Sequence, residues 1–173
     1  GIFVVAAAGN SDSKSNHTDV STPASLPRVI AVGAHEKGGR TWVDSARGSP
    51  TDPETAEARV FPNQKPEILA PGVLLWSCTS NDMEPPYAYS TGTSDSTAIV
   101  TGALALILSI HGESIAGDDG EIDQQEMNLV KVALAKSANA PPSQDSTHDS
   151  KAGYGLLDAS EWSHQVAIEL EID

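Results

Sequence analysis

Cysteine occurs once in the 173 residues, as Cys78. A single thiol excludes an internal disulfide, and no set of Cys and His has the spacing of a zinc site. Cys78 is therefore expected to behave as a small buried hydrophobe. Positive charge is also scarce: 10 Lys and Arg stand against 24 Asp and Glu, for a net charge of -14. That balance argues against nucleic acid or an anionic membrane as a partner. It leaves two explanations open, a high-salt environment in which an acidic surface keeps the protein soluble, or an ordinary acidic domain. The longest apolar run, Ala98 to Ile110, is broken by Thr101, Gly102 and Ser109. It falls short of the ~20 residues a membrane span needs, so no membrane insertion is expected. No initiator Met, signal peptide or transit segment precedes Gly1, so the chain reads as the later portion of a longer polypeptide. Internal repeats are absent too.

What is present is a domain's length of chain with 39% apolar residues, enough for a core. It is organised around Tyr89 to His111, where small and hydroxylic residues give way at Ala98 to the apolar run. The run suits a helix apolar on all sides and buried at the centre of a domain. Ser94 would stand at the mouth of that helix, where unpaired N–H groups and the positive end of the dipole favour developing negative charge. A serine there is placed either as a nucleophile or as an ordinary N-cap. Gly1 to Asn10 is a short β-rich run ending in Gly-Asn, as a buried parallel strand ends at its carboxyl edge. Active sites of open α/β sheets collect at such edges. The Asn10 amide could donate to an oxyanion formed when Ser94 attacks a carbonyl, or Asn10 could simply turn the chain.

Together these stretches resemble the subtilisin-like serine proteases, the subtilases. Ala6-Ala7-Ala8-Gly9-Asn10 matches the family's A-A-x-G-N oxyanion motif. Gly92-Thr93-Ser94, followed by Val100 to Ala103 as V-T-G-A, matches its G-T-S nucleophile motif at the start of a buried helix. Pro23 to Ala34, Ser45 to Pro50 (S-A-R-G-S-P) and Lys65 to Gly72 (K-P-E-I-L-A-P-G) resemble the segments that lie between them, in the same order. The likeness extends through Gly153 to Ala159.

The resemblance implies an α/β, three-layer subtilisin-like fold, a mostly parallel sheet flanked by helices, with the N-terminal part of the domain absent. Residues 1–173 would be the later portion of one catalytic domain. It implies a serine endopeptidase with Ser94 as nucleophile and Asn10 in the oxyanion hole, acting on a peptide or protein substrate. The triad's Asp and His would come from the upstream portion of the same domain, because the family's order is Asp, His, Ser. Ala7, Ala8 and Gly9, with Ser21 deeper, would border the pocket for the side chain preceding the scissile bond. They are small and uncharged and offer no acid to select Lys or Arg. No cofactor is needed for such chemistry, structural calcium bound through backbone carbonyls is open, and a secreted location follows from family resemblance alone. A non-catalytic, peptide-binding subtilase-like domain is the alternative.

One departure bears on activity. Where the family has G-T-S-M-A-x-P-H, this chain has Gly92-Thr93-Ser94-Asp95-Ser96-Thr97-Ala98-Ile99, without the Met, Pro and His. Asp95 would either cap the helix backbone or oppose the oxyanion, and the first is expected, because facing the oxyanion would bring two negative charges together.

The remaining stretches read more plainly. Ser11 to Thr22 is a polar loop, Val29 to Ala34 a buried strand, and Gly38-Gly39 a turn. Thr51 to Asn63 is a surface insertion, Ile68 to Ala70 and Val73 to Cys78 are strands, and Asn81 to Pro86 is a loop. Around Gly117 to Asp123, the residues Asp119, Gly120, Ile122, Asp123 and Glu126 fall near calcium-loop positions, but Ile115 and Gly117 would occupy the first and third ligand places. The expected reading is a capping box, Asp123 with Glu126, opening a helix to about Ser137. Gln144 to Ser150 reads as a solvated loop, Gly153 to Leu157 as a short strand, and Asp158 as the cap of a last helix bearing Trp162 and Val166. His17, His35, His111, His148 and His164 lie in settings that suit surface or structural roles. A Ser-Asp-His order using His148 or His164 lacks the required strand-end context.

Overall fold

The computed structural model describes residues 1–11, 19–80, 82, 84–141, 144 and 147–172, with only the backbone of Asp118. His17 and most of the polar loop from Ser11 to Thr22 lie outside the described residues.

Three β-branched or small-residue runs become strands β1 (Val4–Ala7), β2 (Val29–His35) and β3 (Ile68–Pro71). They pair in parallel in the order β1-β2-β3, with Ala6 opposite Ala31 and Val32 opposite Ile68. Successive side chains of a strand point to opposite faces, which divides the packing in two. Ile30, Val32, Ile68 and Ala70 join Val100, Leu104, Ile107, Val130, Leu134 and Trp162 in the main core. Ala6, Val29 and Ala31 join Ala8, Val20, Ala24 and Ala46 in a smaller cluster built from connecting segments. The segment expected to be a strand at Gly153 runs beside β3 through single bridges, with Leu157 N donating to Leu69 O at 2.8 Å.

Helix α1 (Thr93–Ala116) packs on all three strands, while α2 (Gln124–Ser137) and α3 (Ala159–Glu169) pack on each other. Their starts follow from the sequence. Asp123 and Glu126 form the expected capping box, and the Asp158 carboxylate accepts from Glu161 N. With Asp123 and Glu126 both turned to backbone N–H groups, this loop does not fit the calcium-loop pattern. Trp162 is enclosed and its indole donates to Val130 O at 3.1 Å, fixing α3 on α2.

Several expectations are corrected. Helix α1 is not buried on all sides: Leu104 is 4% exposed, but Leu106 is 67% and Ile110 68% exposed. The sheet covers one face of the helix and α3 flanks it, while Leu106 and Ile110 stay exposed. The helix also runs for 24 residues, beyond the apolar run, so its length alone does not exclude a membrane span. Its packing against β1, β2 and β3 is that of a core helix. Cys78 is exposed rather than buried. It lies on β4 (Leu75–Cys78), which pairs antiparallel with β5 (Tyr87–Ser90), a strand not anticipated after Pro85-Pro86. A two-stranded ribbon has no further layer over its outer face, and Trp76, Tyr87 and Tyr89 are exposed on it as well. Gln144 and His148 are half-buried rather than solvated, Gln144 donating to Gly153 O and His148 contacting Pro66 O.

The surface insertion at Thr51 to Asn63 is anchored by buried Arg59, which forms a forked ion pair with Asp19 at 2.7 and 2.8 Å. A second charged group lies deeper. Lys65 donates to Val29 O at 2.6 Å and to Glu67 at 2.7 Å, Glu67 accepts from Ala31 N at 2.8 Å, and Lys131 of α2 also pairs with Glu67. Burial pushes the Lys65 ammonium down to about 8, against the pull of Glu67. These bonds tie β2 and β3 to α2 behind the sheet edge that carries the site.

Candidate active site

Asn10 lies three residues beyond the carboxyl end of β1, and Ser94 is the second residue of α1. The fold brings the two together through Thr93. The Asn10 Oδ1 accepts from Thr93 N at 3.0 Å and from the Thr93 hydroxyl at 2.8 Å, and Thr93 Oγ1 in turn accepts from Gly9 N at 3.2 Å. A backbone N–H can only donate, so Oδ1 must face Thr93 and the Nδ2 amide must face outward. Thr93 is itself enclosed, so the clasp is shielded from water. The sequence contained the G-T-S motif but gave no signal that its threonine holds the asparagine.

The approach to α1 is equally fixed. Gly92 N donates to Gly72 O at 2.8 Å, Leu74 N donates to the Thr91 hydroxyl at 2.9 Å, and buried Ser96 donates to Ala70 O at 3.0 Å. The helix therefore starts from a rigid seat at the end of β3. Its N-cap is Gly92, not Ser94, and the first helical N–H, that of Thr93, is satisfied by the Asn10 side chain instead. Ser94 is exposed, and its hydroxyl has no hydrogen-bond partner among the described residues. As a first-turn residue, its N–H lacks an intrahelical acceptor. The Asn10 amide and the Ser94 N–H are thus two donors available at one helix start, beside an exposed hydroxyl.

Asp95 departs from expectation. Its Oδ2 accepts from the Ser90 hydroxyl of β5 at 2.9 Å, so the carboxylate turns to β5 rather than capping the helix backbone. The cap energy is forgone because a neighbouring strand supplies a donor that the local sequence does not reveal.

Of the pocket residues, Gly9 and Ser21 meet. Gly9 has φ +112, and a Cβ there would collide with Ser21 Oγ, so glycine is required twice over. Ala7 is half-buried beside them. Ala8 is 0% exposed, with its N–H bonded to Val32 O and its carbonyl to Ser21 N, so it supports the rim from within. None of the four is charged.

Of the four described histidines, three are engaged elsewhere and His164 is exposed on α3. His35 contacts Glu36 O, and His111 shares a hydrogen bond with Ser163 at 3.0 Å. His148 stacks edge-on against Tyr154, and its burial disfavours the protonated form. No histidine is bonded to Ser94 among the described residues. Nor do these residues contain a group of three or more His, Cys, Asp or Glu that could hold a metal ion.

The sheet edge thus presents a strand-end amide clasped to a helix that opens with an exposed serine. The sequence profile of the subtilase family, peptidase S8, matches residues 1–155, and the chain belongs to that family. It is 37% identical over 111 residues to subtilisin amylosacchariticus of Bacillus subtilis subsp. amylosacchariticus, covering 64% of this chain and 24% of that protein. The subtilisin of Bacillus pumilus shows the same identity over 111 residues, 34% of its length. Among solved structures, the prenylagaramide maturation protease PagA superposes with a TM-score of 0.67 at 30% identity, covering 95% of this chain and 50% of that one. The PatG macrocyclase in complex with peptide, at 22% identity and a TM-score of 0.66, shares the fold. The chain thus spans about a quarter to a half of the length of these relatives.

Proposed function

We propose that the chain is the later portion of the catalytic domain of a serine endopeptidase and supplies its nucleophile and oxyanion hole. The observation that carries this reading is the Thr93 clasp, which leaves the Asn10 Nδ2 free to donate beside Ser94. Ser94 Oγ attacks the scissile carbonyl while a base takes its proton. The negative oxygen that forms is held by the Asn10 amide and the Ser94 N–H, both fixed before the reaction begins. The tetrahedral species collapses to an acyl-enzyme on Ser94 and releases the amine half of the peptide, and water then hydrolyses the ester. The histidine base and its aspartate come from the upstream portion of the same domain, which also covers the open face of α1.

Gly9, Ser21, Ala7 and enclosed Ala8 shape a pocket for an uncharged side chain. The chemistry needs no cofactor, and a secreted location accords with the family. The PatG structure contains a peptide, which accords with a peptide substrate here. In the full-length protein, Ser94→Ala should abolish both peptide hydrolysis and labelling by a fluorophosphonate. Hydrolysis that survives this substitution contradicts the reading, and a wild-type protein that binds peptide without cleaving it supports a non-catalytic domain instead.

A further inference from the structure

The residue that follows the nucleophile is an anion without a cationic partner among the described residues. Asp95 is half-buried, and one carboxylate oxygen is fixed by the Ser90 hydroxyl at 2.9 Å. Its position relative to the oxyanion hole can be read from Gly92. The point where a Cβ on Gly92 would lie is 3.1 Å from Asn10 Nδ2 and 3.6 Å from Asp95 Oδ2. The oxyanion donor and the carboxylate therefore flank one gap over Gly92, and the missing side chain keeps that gap open.

We propose that Asp95 is a specificity-determining residue that selects substrates carrying a cationic group beside the scissile bond. The inference rests on the peptidase reading above and adds a substrate class to it. When an uncharged peptide is attacked, the oxyanion develops near a fixed negative charge, which raises the transition state. A lysine or arginine side chain, or a free α-amino group, seated in this gap against the Asp95 carboxylate cancels that repulsion and adds a charge-assisted hydrogen bond. Discrimination therefore comes from a penalty on neutral substrates as well as an attraction for cationic ones. The pocket at Gly9 and Ser21 has no charge, so the selection acts at a second position along the peptide. Ser90 contributes by preventing the carboxylate from swinging away.

The test compares kcat/KM of the full-length enzyme on peptides bearing Lys, Gln or Glu at each position flanking the cut. Wild type should favour Lys over Gln at one such position by ~10-fold, the size of one good charge-assisted contact, with Glu disfavoured further. Asp95→Asn should bring the Lys to Gln ratio near one while raising kcat/KM for the Gln peptide, and Asp95→Glu should restore the preference. In wild type the preference should shrink as salt approaches ~1 M, where screening acts over ~3 Å. That measurement stands even where a variant folds poorly. Hydrolysis with a ratio unaffected by Asp95→Asn, or by salt, overturns this inference alone. Absence of any Ser94-dependent hydrolysis overturns the peptidase reading, and this inference with it.

Discussion

The two faces of α1 differ in how completely the chain supports them. On the inner face Thr93, Ser96, Val100, Leu104 and Ile107 are enclosed, and both hydroxyls are bonded, Thr93 to Asn10 and Ser96 to Ala70 and Pro71. On the outer face Ser94, Ile99, Leu106 and Ile110 are exposed, and grooves lined by the apolar side chains of α1 open toward α3 and toward β1. On the proposed reading, oxyanion stabilisation depends on the Asn10 amide that the inner-face Thr93 holds in place. Activation of the nucleophile, which depends on a neighbouring base, belongs to the outer face. On that reading, this stretch of chain supplies the oxyanion donors and the nucleophile, and the upstream portion of the domain supplies the base.

The largest effect is expected at the outer face. In the full-length protein Leu106→Ala should cost as much stability as Leu104→Ala, about 2–5 kcal/mol each by chemical denaturation, because both side chains would then be core. A cost for Leu106→Ala within ~0.5 kcal/mol would mean that the face remains in water and that no upstream layer lies over it.

Two substitutions probe the inner face. Asn10→Ala in the complete enzyme should lower kcat by roughly 10²–10³ with little change in KM, since the amide acts on the transition state. That magnitude is borrowed from a subtilisin, a member of this same family whose oxyanion donor is an asparagine side chain. Thr93→Val keeps the shape but removes the hydroxyl that orients the amide, and it should cost about 10-fold in kcat, roughly 1.4 kcal/mol. Combined with Asn10→Ala it should add almost nothing, because Thr93 acts through Asn10. Additive losses would show that Thr93 supports the site independently.

Much of the inner face was legible from residue order. The β-branched runs gave β1, β2 and β3, and Asp123 with Glu126 and Asp158 announced the starts of α2 and α3, because strand burial and caps are local properties. Asn10 and Ser94 were legible as motif members whose spacing along the chain said nothing of the threonine joining them. What sequence could not show depends on partners far along the chain. Thr93 finds Asn10 across 83 residues, and Lys131 finds Pro27 across 104. The turn of Asp95 toward Ser90 required β5, a strand concealed behind Pro85-Pro86. The exposure of Cys78 and Leu106 reflects which layers the chain contains, a property of the assembled domain rather than of either residue's neighbours.

The proposed reading places Ser94 beside its oxyanion donors with no base bonded to it among the described residues. It is tested most directly by exposing residues 1–173 alone to a fluorophosphonate, alongside the complete domain. Slow exchange of the α1 amides in the isolated chain serves as the check that it is folded. A serine hydroxyl without a base is a weak nucleophile near neutral pH, so the isolated chain should remain unlabelled while the complete domain is labelled at Ser94. Rapid labelling of the isolated chain that Ser94→Ala abolishes would place a base within these residues and contradict the division between the two faces.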